Sequence, residues 1–271
     1  MSVAEILLVI FAQMVALSLI MAGAWAIQQR TRNSGFVDGV WTFGLGLVGV
    51  VSALLPLSGE TTTRQIVVAV IILAWSLRLG LHIVRRSLQR ADDPRYGLLI
   101  RQWGSHARRQ MFILLQKQAL VTLPLAIAVF VAAHNPAPFG RMQDWIGVLV
   151  ILLGVLGEGL ADRQLHDWLA SRKKDDRVCD RGLWRWSRHP NYFFEWVFWL
   201  AFPLFAIELG SGYASGWLAL AAPVCMYWLL VYVSGVPPLE QHMVAKHGDA
   251  YRAYQARTSV FFPRPPAEDS A

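Results

Sequence analysis

Cysteine is almost missing from this chain: Cys179 and Cys225 are the only two in 271 residues. Cys179 lies in a charged stretch and Cys225 in an apolar run, so neither a disulfide framework nor a cysteine-based metal site is expected. Charge is scarce as well. Asp, Glu, Lys and Arg make up 16% of the residues while 55% are hydrophobic, which excludes an ordinary soluble domain, where about a quarter are charged. The chain has no Gly-x-Gly-x-x-Gly after a strand pattern, no Walker loop, no serine nucleophile elbow and no Cys/His zinc pattern. A bound nucleotide would therefore have to be held by helices and loops. His242 and His247 are five apart, off a shared helical face and without a third ligand, so no metal is expected. Internal repeats, linkers and low-complexity segments are absent too. No cleaved signal peptide is expected, because the first apolar run is long enough to span and lacks a basic n-region.

What the chain does have is long apolar runs. Seven are read at 4–27, 36–57, 65–84, 111–133, 145–165, 192–209 and 213–236, about 20 residues each where clearest, the length a bilayer requires. This predicts an all-α polytopic integral membrane protein with seven transmembrane helices, placed as a multi-pass protein of the cell inner (plasma) membrane with the lipid bilayer as its partner. A formal charge of +7 would suggest nucleic acid in a soluble protein, but the basic residues sort by loop. Connections 28–35, 85–110 and 163–191, with the segment after 236, hold 21 of the 25 Lys and Arg; the other three hold two, and Arg78 and Lys117 fall inside spans. The bias puts the N-terminus outside and the C-terminus in the cytosol, and no nucleic-acid partner is expected. One domain over 1–265 is read, its cytosolic-side site at about 158–265, followed by a short disordered tail, 266–271.

The stretch 182–196, GLWRWSRHPNYFFEW, runs a basic loop straight into an apolar helix. Arg185, Arg188 and His189 precede Pro190, and Asn191, Tyr192 and Glu195 follow it. A helix N-terminus behind arginines suits an anion, and Pro190 fits the first turn, where its missing N–H costs nothing. Interfacial anchoring accounts for Trp184, Trp186 and Trp199. It does not account for Asn191 and Glu195, four apart on one face inside the apolar segment, where a carboxylate is costly without a task or partner.

Other polar residues interrupt the runs. Glu158, Asp162 and His166 are spaced by four at the exit of the fifth run, and two acids at that spacing repel by a few tenths of a kcal/mol. They read either as acids neutralised by the basic loop or as acceptors for a polar ligand near the cytosolic face. Of the basic residues that follow, Arg177, Arg185 and Arg188 are candidates for phosphate contact, since guanidinium groups bind phosphate oxygens bidentately. Lys173 and Lys174 read as a lipid-facing surface. Arg78, His82, Arg85 and Arg86 form a stripe on one face of the third run. Snorkelling explains the arginines, and His82 reads either as a satisfied core residue or as a catalyst. Asp38 is either a helix-start acid or a buried functional group. Tyr251 and Tyr254, three apart on an amphipathic segment, read as an interfacial anchor.

Taken with VDGVW, DDPRYGLLIRQWG and GDAYRAYQARTSVFFP, the 182–196 stretch resembles the bacterial membrane proteins of the steroid 5-alpha-reductase C-terminal-domain type, the DUF1295 group, over nearly the whole chain. The resemblance implies a seven-helix membrane reductase using NADPH. It implies that Asn191 contacts the nicotinamide amide and Glu195 supports it, that Asp162 and Glu158 take cofactor hydroxyl or amide groups, that Arg177 takes a phosphate and that Tyr251 closes a cytosolic lid. Arg185, Arg188, His189, Tyr192 and Glu240 complete the expected cofactor surround. The chain departs from the group at Phe194, where Gly is usual, and at Glu158, which stands at what looks like an Asn position in the animal steroid reductases. The implied reaction reduces a conjugated C=C bond in a lipophilic enone such as a 3-oxo-4-ene steroid. Asp38, protonated by burial, is the first candidate for polarising the ketone, followed by His82 and Tyr96. The RHP-x-Y segment and a tail beginning at Glu240 are also similar to membrane methyltransferases that use S-adenosylmethionine on isoprenylcysteine or phospholipid head groups, although Gln241 stands where their second Glu is expected. A transporter or scaffold is the nonenzymatic alternative.

Overall fold

Long helices are dictated by the apolar runs, and the computed structural model describes them through residues 2–57, 59, 61–88, 93–171, 178–210 and 212–267. In order they are α1 (Val3–Thr31), α2 (Phe36–Ala53), α3 (Thr63–Leu88), α4 (Pro94–Trp103), α5 (Ala107–Ala133), α6 (Met142–Ser171), α7 (Pro190–Ala206), α8 (Ala221–Trp228), α9 (Val236–His247) and α10 (Asp249–Arg257). Among the described residues there is no strand. Six stretches among the described residues are long and apolar enough to cross a membrane: Val3–Thr31, Phe36–Ala53, Thr63–Leu88, Arg95–Ala133, Met142–Ser171 and Ala214–His247.

Two of the seven runs differ from the expectation. The run 192–209 becomes α7, 17 residues long, or about 26 Å at 1.5 Å per residue, somewhat less than the roughly 30 Å hydrocarbon core. The run 213–236 is not one α-helix. It starts as a 3₁₀ turn over Ala214–Leu220, continues as α8 and widens into a π-helix over Leu229–Val233. Apolar length cannot distinguish these windings, since each satisfies its own backbone. The loop 85–110 contains an unexpected element, α4, started by Asp93, whose side chain accepts from the Arg95 N–H, with Pro94 at the first helical position.

The chain divides into two compact units: Met1–Asp144 with Phe202–Ala222, and Trp145–Ala201 with Pro223–Ala271. In the first unit α1, α2, α3 and α5 pack on one another, and α4 lies on α5. Small residues let the helices approach. At Gly46 of α2, an added Cβ would run into the Ser76 side chain of α3, whose hydroxyl donates to the Thr42 carbonyl at 3.1 Å.

At the other end of this unit is a clasp that the sequence reading passed over. Arg64 is 1% exposed, and all five of its N–H donors are used. Two go to Asp144, at 2.8 and 3.0 Å, and the others to the carbonyls of Ala137, Pro138 and Phe205 at 3.0–3.2 Å. Asp144 is fully buried and also accepts from the Gly140 and Arg141 N–H groups and the Arg141 side chain. Arg141 in turn pairs with Glu208. Asn135 and Gln143 donate to carbonyls at 204–207, tying that returning segment to the rest.

In the second unit the α6 residue Gly154 lies against the α7 backbone at Phe194 and Phe198. The segment 182–189 continues this packing: Trp184 donates its indole N–H to the Ala161 carbonyl at 2.9 Å, and Tyr254 of α10 donates to the Trp184 carbonyl. A strap, 258–267, lies over the segment. The Arg188 N–H donates to the Ser259 carbonyl, the Ser187 hydroxyl to the Phe261 carbonyl and the Arg264 N–H to the Trp186 carbonyl. Of the short tail, Ala267 is held through its N–H to the Arg257 carbonyl at 2.9 Å, and 268–271 lie outside the described residues.

Candidate functional site

In the second unit Glu240 of α9 is the centre on which the RHP segment converges. Its carboxylate accepts from Arg188 at 2.7 and 3.3 Å, from His189 Nε2 at 3.0 Å and from Gln255 Nε2 at 2.7 Å. The remaining Arg188 nitrogen donates to the Gln255 and Thr258 carbonyls. Arg188 was expected to contact a phosphate. Its guanidinium is committed instead to joining 182–189, α9 and α10.

His189 is 1% exposed and stacks on the Tyr192 ring at 5.4 Å and 8°. With Nε2–H donating to Glu240, its Nδ1 is a buried acceptor without a partner. Burial, outweighing the carboxylate beside it, pushes the imidazole below its ordinary pKa. Tyr251 is buried as well, and burial together with the Glu240 charge pushes its hydroxyl up.

Near the start of α7, Asn191 Nδ2 donates to Asp162 Oδ1 of α6 at 3.3 Å. One turn on, Glu195 is 6% exposed and accepts from the Trp199 indole at 2.8 Å. The i, i+4 spacing thus puts both polar groups on one face, as read from the sequence. Glu158 is 5% exposed, a turn before Asp162. Arg185 is exposed at the end of the turn Gly182–Arg185. Arg177 lies outside the described residues.

The first unit brings two of the three expected catalytic residues together. Asp38 of α2 accepts from Arg95 Nη2 at 2.5 Å and from the Tyr96 hydroxyl at 3.1 Å. Gln118 of α5 donates its Nε2–H to the Tyr96 oxygen at 3.0 Å, while its Oε1 is buried without a partner. Asp38 was expected to be the protonated donor. Here it accepts from both neighbours, so the cluster's O–H donor is Tyr96. His82 is exposed on α3, and Asp38 and Tyr96 are joined without it. Arg95 is steadied by Asp93, whose Oδ1 and Oδ2 accept from it at 3.0 and 2.9 Å. Burial would raise the Asp93 carboxyl, but the bonds and charge of Arg95 outweigh it and hold the group below its usual range.

The DUF1295 family, described as proteins of unknown function, matches residues 24–258. This chain belongs to that family. An uncharacterized protein of Schizosaccharomyces pombe is 28% identical over 268 residues, covering 89% of this chain and 75% of that protein. No solved structure matches the chain.

For this DUF1295 member the structure explains one departure. Phe194 takes the place of a usual Gly, and its ring lies against Gly157 of α6, where an added Cβ would collide with it. The ring at 194 fits here because position 157 carries no side chain. Gly157→Ala should lower the melting temperature by several degrees, the effect of about 1–3 kcal/mol of overpacking, and adding Phe194→Ala should recover part of it. Thermal unfolding of the two variants in detergent checks this; equal losses would mean that the ring and Gly157 are not coupled.

The residues missed by sequence reasoning are Arg95 and Gln118. Arg95 was signalled by its place in DDPRY, directly before Tyr96. Gln118 carried no local signal, because its partner lies 22 residues away on another helix.

Proposed function

We propose that this DUF1295 chain is an NADPH-dependent membrane reductase of a conjugated C=C bond in a lipophilic enone, a 3-oxo-4-ene steroid being the type of substrate. It sits in the cell inner (plasma) membrane with seven spans, α7 being one of them, the N-terminus outside and the C-terminus cytosolic. The support for that orientation is the division of basic residues, 21 against two, between alternate connections. One observation carries the catalytic reading: the hydroxyl of Tyr96, a buried residue, is held between an Asp38 carboxylate and a Gln118 amide donor.

Reduction at the β carbon of an enone drives negative charge onto the ketone oxygen, where a placed donor is most effective. The Tyr96 O–H turns from Asp38 to that oxygen and gives up its proton there. Gln118 remains bonded to the phenolic oxygen as the proton leaves, and Arg95 keeps Asp38 in place. The enol so formed takes a solvent proton at its α carbon and returns its hydroxyl proton to Tyr96, which leaves a saturated ketone, so that one hydride and one solvent proton are consumed in all.

When bound, NADPH supplies the hydride. The residues present suit it: Asn191 turns an N–H to Asp162 and offers its carbonyl oxygen to a carboxamide N–H, and the unpartnered Nδ1 of His189 accepts a further donor. Glu195 and Glu158 lie along the same helices, and Glu240, Arg188 and Tyr251 hold α9 and α10 against the segment before α7.

The alternative, an S-adenosylmethionine-dependent methyltransferase acting on isoprenylcysteine or phospholipid, is favoured by one feature, the grip of Arg188 and His189 on Glu240. Thermal unfolding of the detergent-purified chain with NADPH, NADH and S-adenosylmethionine in parallel decides between them, since a ligand that binds only the folded state raises the melting point. A rise with NADPH that Asn191→Ala abolishes is the expected result. A rise with S-adenosylmethionine alone sinks the reductase.

A further inference from the structure

An open cleft of about 600 Å³ lies in the second unit; Glu240, Arg188 and His189 do not line it, and it touches their cluster only through Thr258, whose carbonyl accepts from Arg188. Arg185 and Arg257 line it together with Asp180, and the end of the strap, Pro265–Ala267, forms a wall. That wall is pinned by the bonds of the Arg264 and Ala267 N–H groups to the Trp186 and Arg257 carbonyls, at 3.1 and 2.9 Å, and two consecutive prolines stiffen it. Arg257 donates to Asp180 Oδ2 at 2.5 Å, with the two side chains 38% and 42% exposed. Arg185 is exposed and makes no ion pair or hydrogen bond among the described residues.

Two arginines and a single carboxylate lining one cleft leave a net positive charge. A half-exposed ion pair is weak, so a doubly charged anion that can take bidentate hydrogen bonds competes well against a single carboxylate. Carboxylate and phosphate present the same oxygen fork to a guanidinium. Asp180 therefore has the character of an internal stand-in for a ligand.

We propose that this cleft binds a phosphate monoester between Arg185 and Arg257, and that Asp180 yields Arg257 to it on binding. The chemistry is that of a dianionic phosphate, whether on a nucleotide or on a lipid head group. The inference deepens the reductase reading by assigning the arginines that distinguish a phosphorylated dinucleotide from one without the phosphate; with the lipid as source it stands apart from that reading.

The test is binding to the full-length, detergent-purified protein. NADP+, NAD+ and 2′-AMP are titrated by calorimetry, and vesicles containing phosphatidic acid are used with reconstituted protein. The variants are Asp180→Asn, Arg257→Gln, Arg257→Lys and Arg185→Gln, each checked for an unchanged melting temperature without ligand. Asp180→Asn should tighten NADP+ and 2′-AMP by about two- to fivefold, the worth of the lost internal competitor, and leave NAD+ unchanged. Arg257→Gln and Arg185→Gln should each weaken them about tenfold, and Arg257→Lys should recover only part of the loss. If the same variants change the affinity for phosphatidic acid vesicles instead, the phosphate is that of a lipid. If wild type binds neither dinucleotide, the reductase reading fails, while 2′-AMP and the vesicles still decide the cleft. Variants that shift none of the phosphate probes overturn the inference, and so does an Asp180→Asn variant that binds the monoesters more weakly than wild type.

Discussion

Tyr96→Phe should reduce enone turnover by about 10²- to 10⁴-fold, the range over which a positioned proton donor acts. The ring is buried, and the substitution leaves it in place under the Arg95 guanidinium, whose carbon lies 5.7 Å from its centre. Only the hydroxyl is lost, and with it the O–H between Asp38 and Gln118. Because Asn191 and Asp162 are untouched, the rise in melting temperature with NADPH should be the same as in wild type. Substrate-dependent loss of nicotinamide absorbance, measured beside that thermal shift, separates donor from scaffold. A Tyr96→Phe protein that turns over normally would remove the proposed donor. One that fails to bind NADPH would mean that Tyr96 supports the fold rather than the chemistry.

The largest expected effect on stability is at the opposite pole of the first unit. Arg64→Met should cost about 3–5 kcal/mol, because the buried Asp144 carboxylate loses two hydrogen bonds and the more deeply buried of its two guanidinium partners. Three backbone carbonyls also lose their donor, those of Ala137, Pro138 and Phe205. Arg141 cannot replace Arg64: it already contacts Asp144 and is pulled the other way by Glu208. Arg64→Met with Asp144→Leu should be more stable than Arg64→Met alone, since the buried carboxylate deprived of its main partner is then gone. The yield of monodisperse protein and its thermal unfolding in detergent are the readouts. A single variant that unfolds with wild type would show that the clasp is ornamental.

What could be read from the chain and what could not divide along the range of the interactions. Helices α1, α2, α3, α5 and α6 follow from apolar length, a local property, and each covers the greater part of its run. The facing of Asn191 and Glu195 follows from helical periodicity alone. Partners distant in sequence were out of reach: Arg64 finds Asp144 80 positions away, and Arg188 finds Glu240 52 away. Arg64 and Arg141 are the two basic residues of the sparsely charged connections, and nothing local in the sequence marks them as parts of the clasp. Likewise, a free helix N-terminus behind arginines suggested an anion at Arg188, whereas the chain supplies its own carboxylate. The break in 213–236 was hidden because hydropathy reports burial in lipid, not how the backbone winds.

The first unit is discontinuous along the chain, and this imposes an order on its manufacture. One Arg64 donor is answered by the Phe205 carbonyl, 141 positions later. At 5–20 residues per second of synthesis, that partner emerges roughly 7–28 seconds after the arginine. By the end of this interval α1 to α6 have been made while the group that caps the charged pole does not yet exist. A nascent chain stalled before residue 205 would carry an incompletely satisfied cation at that pole, a feature by which quality control could tell an unfinished molecule from a finished one.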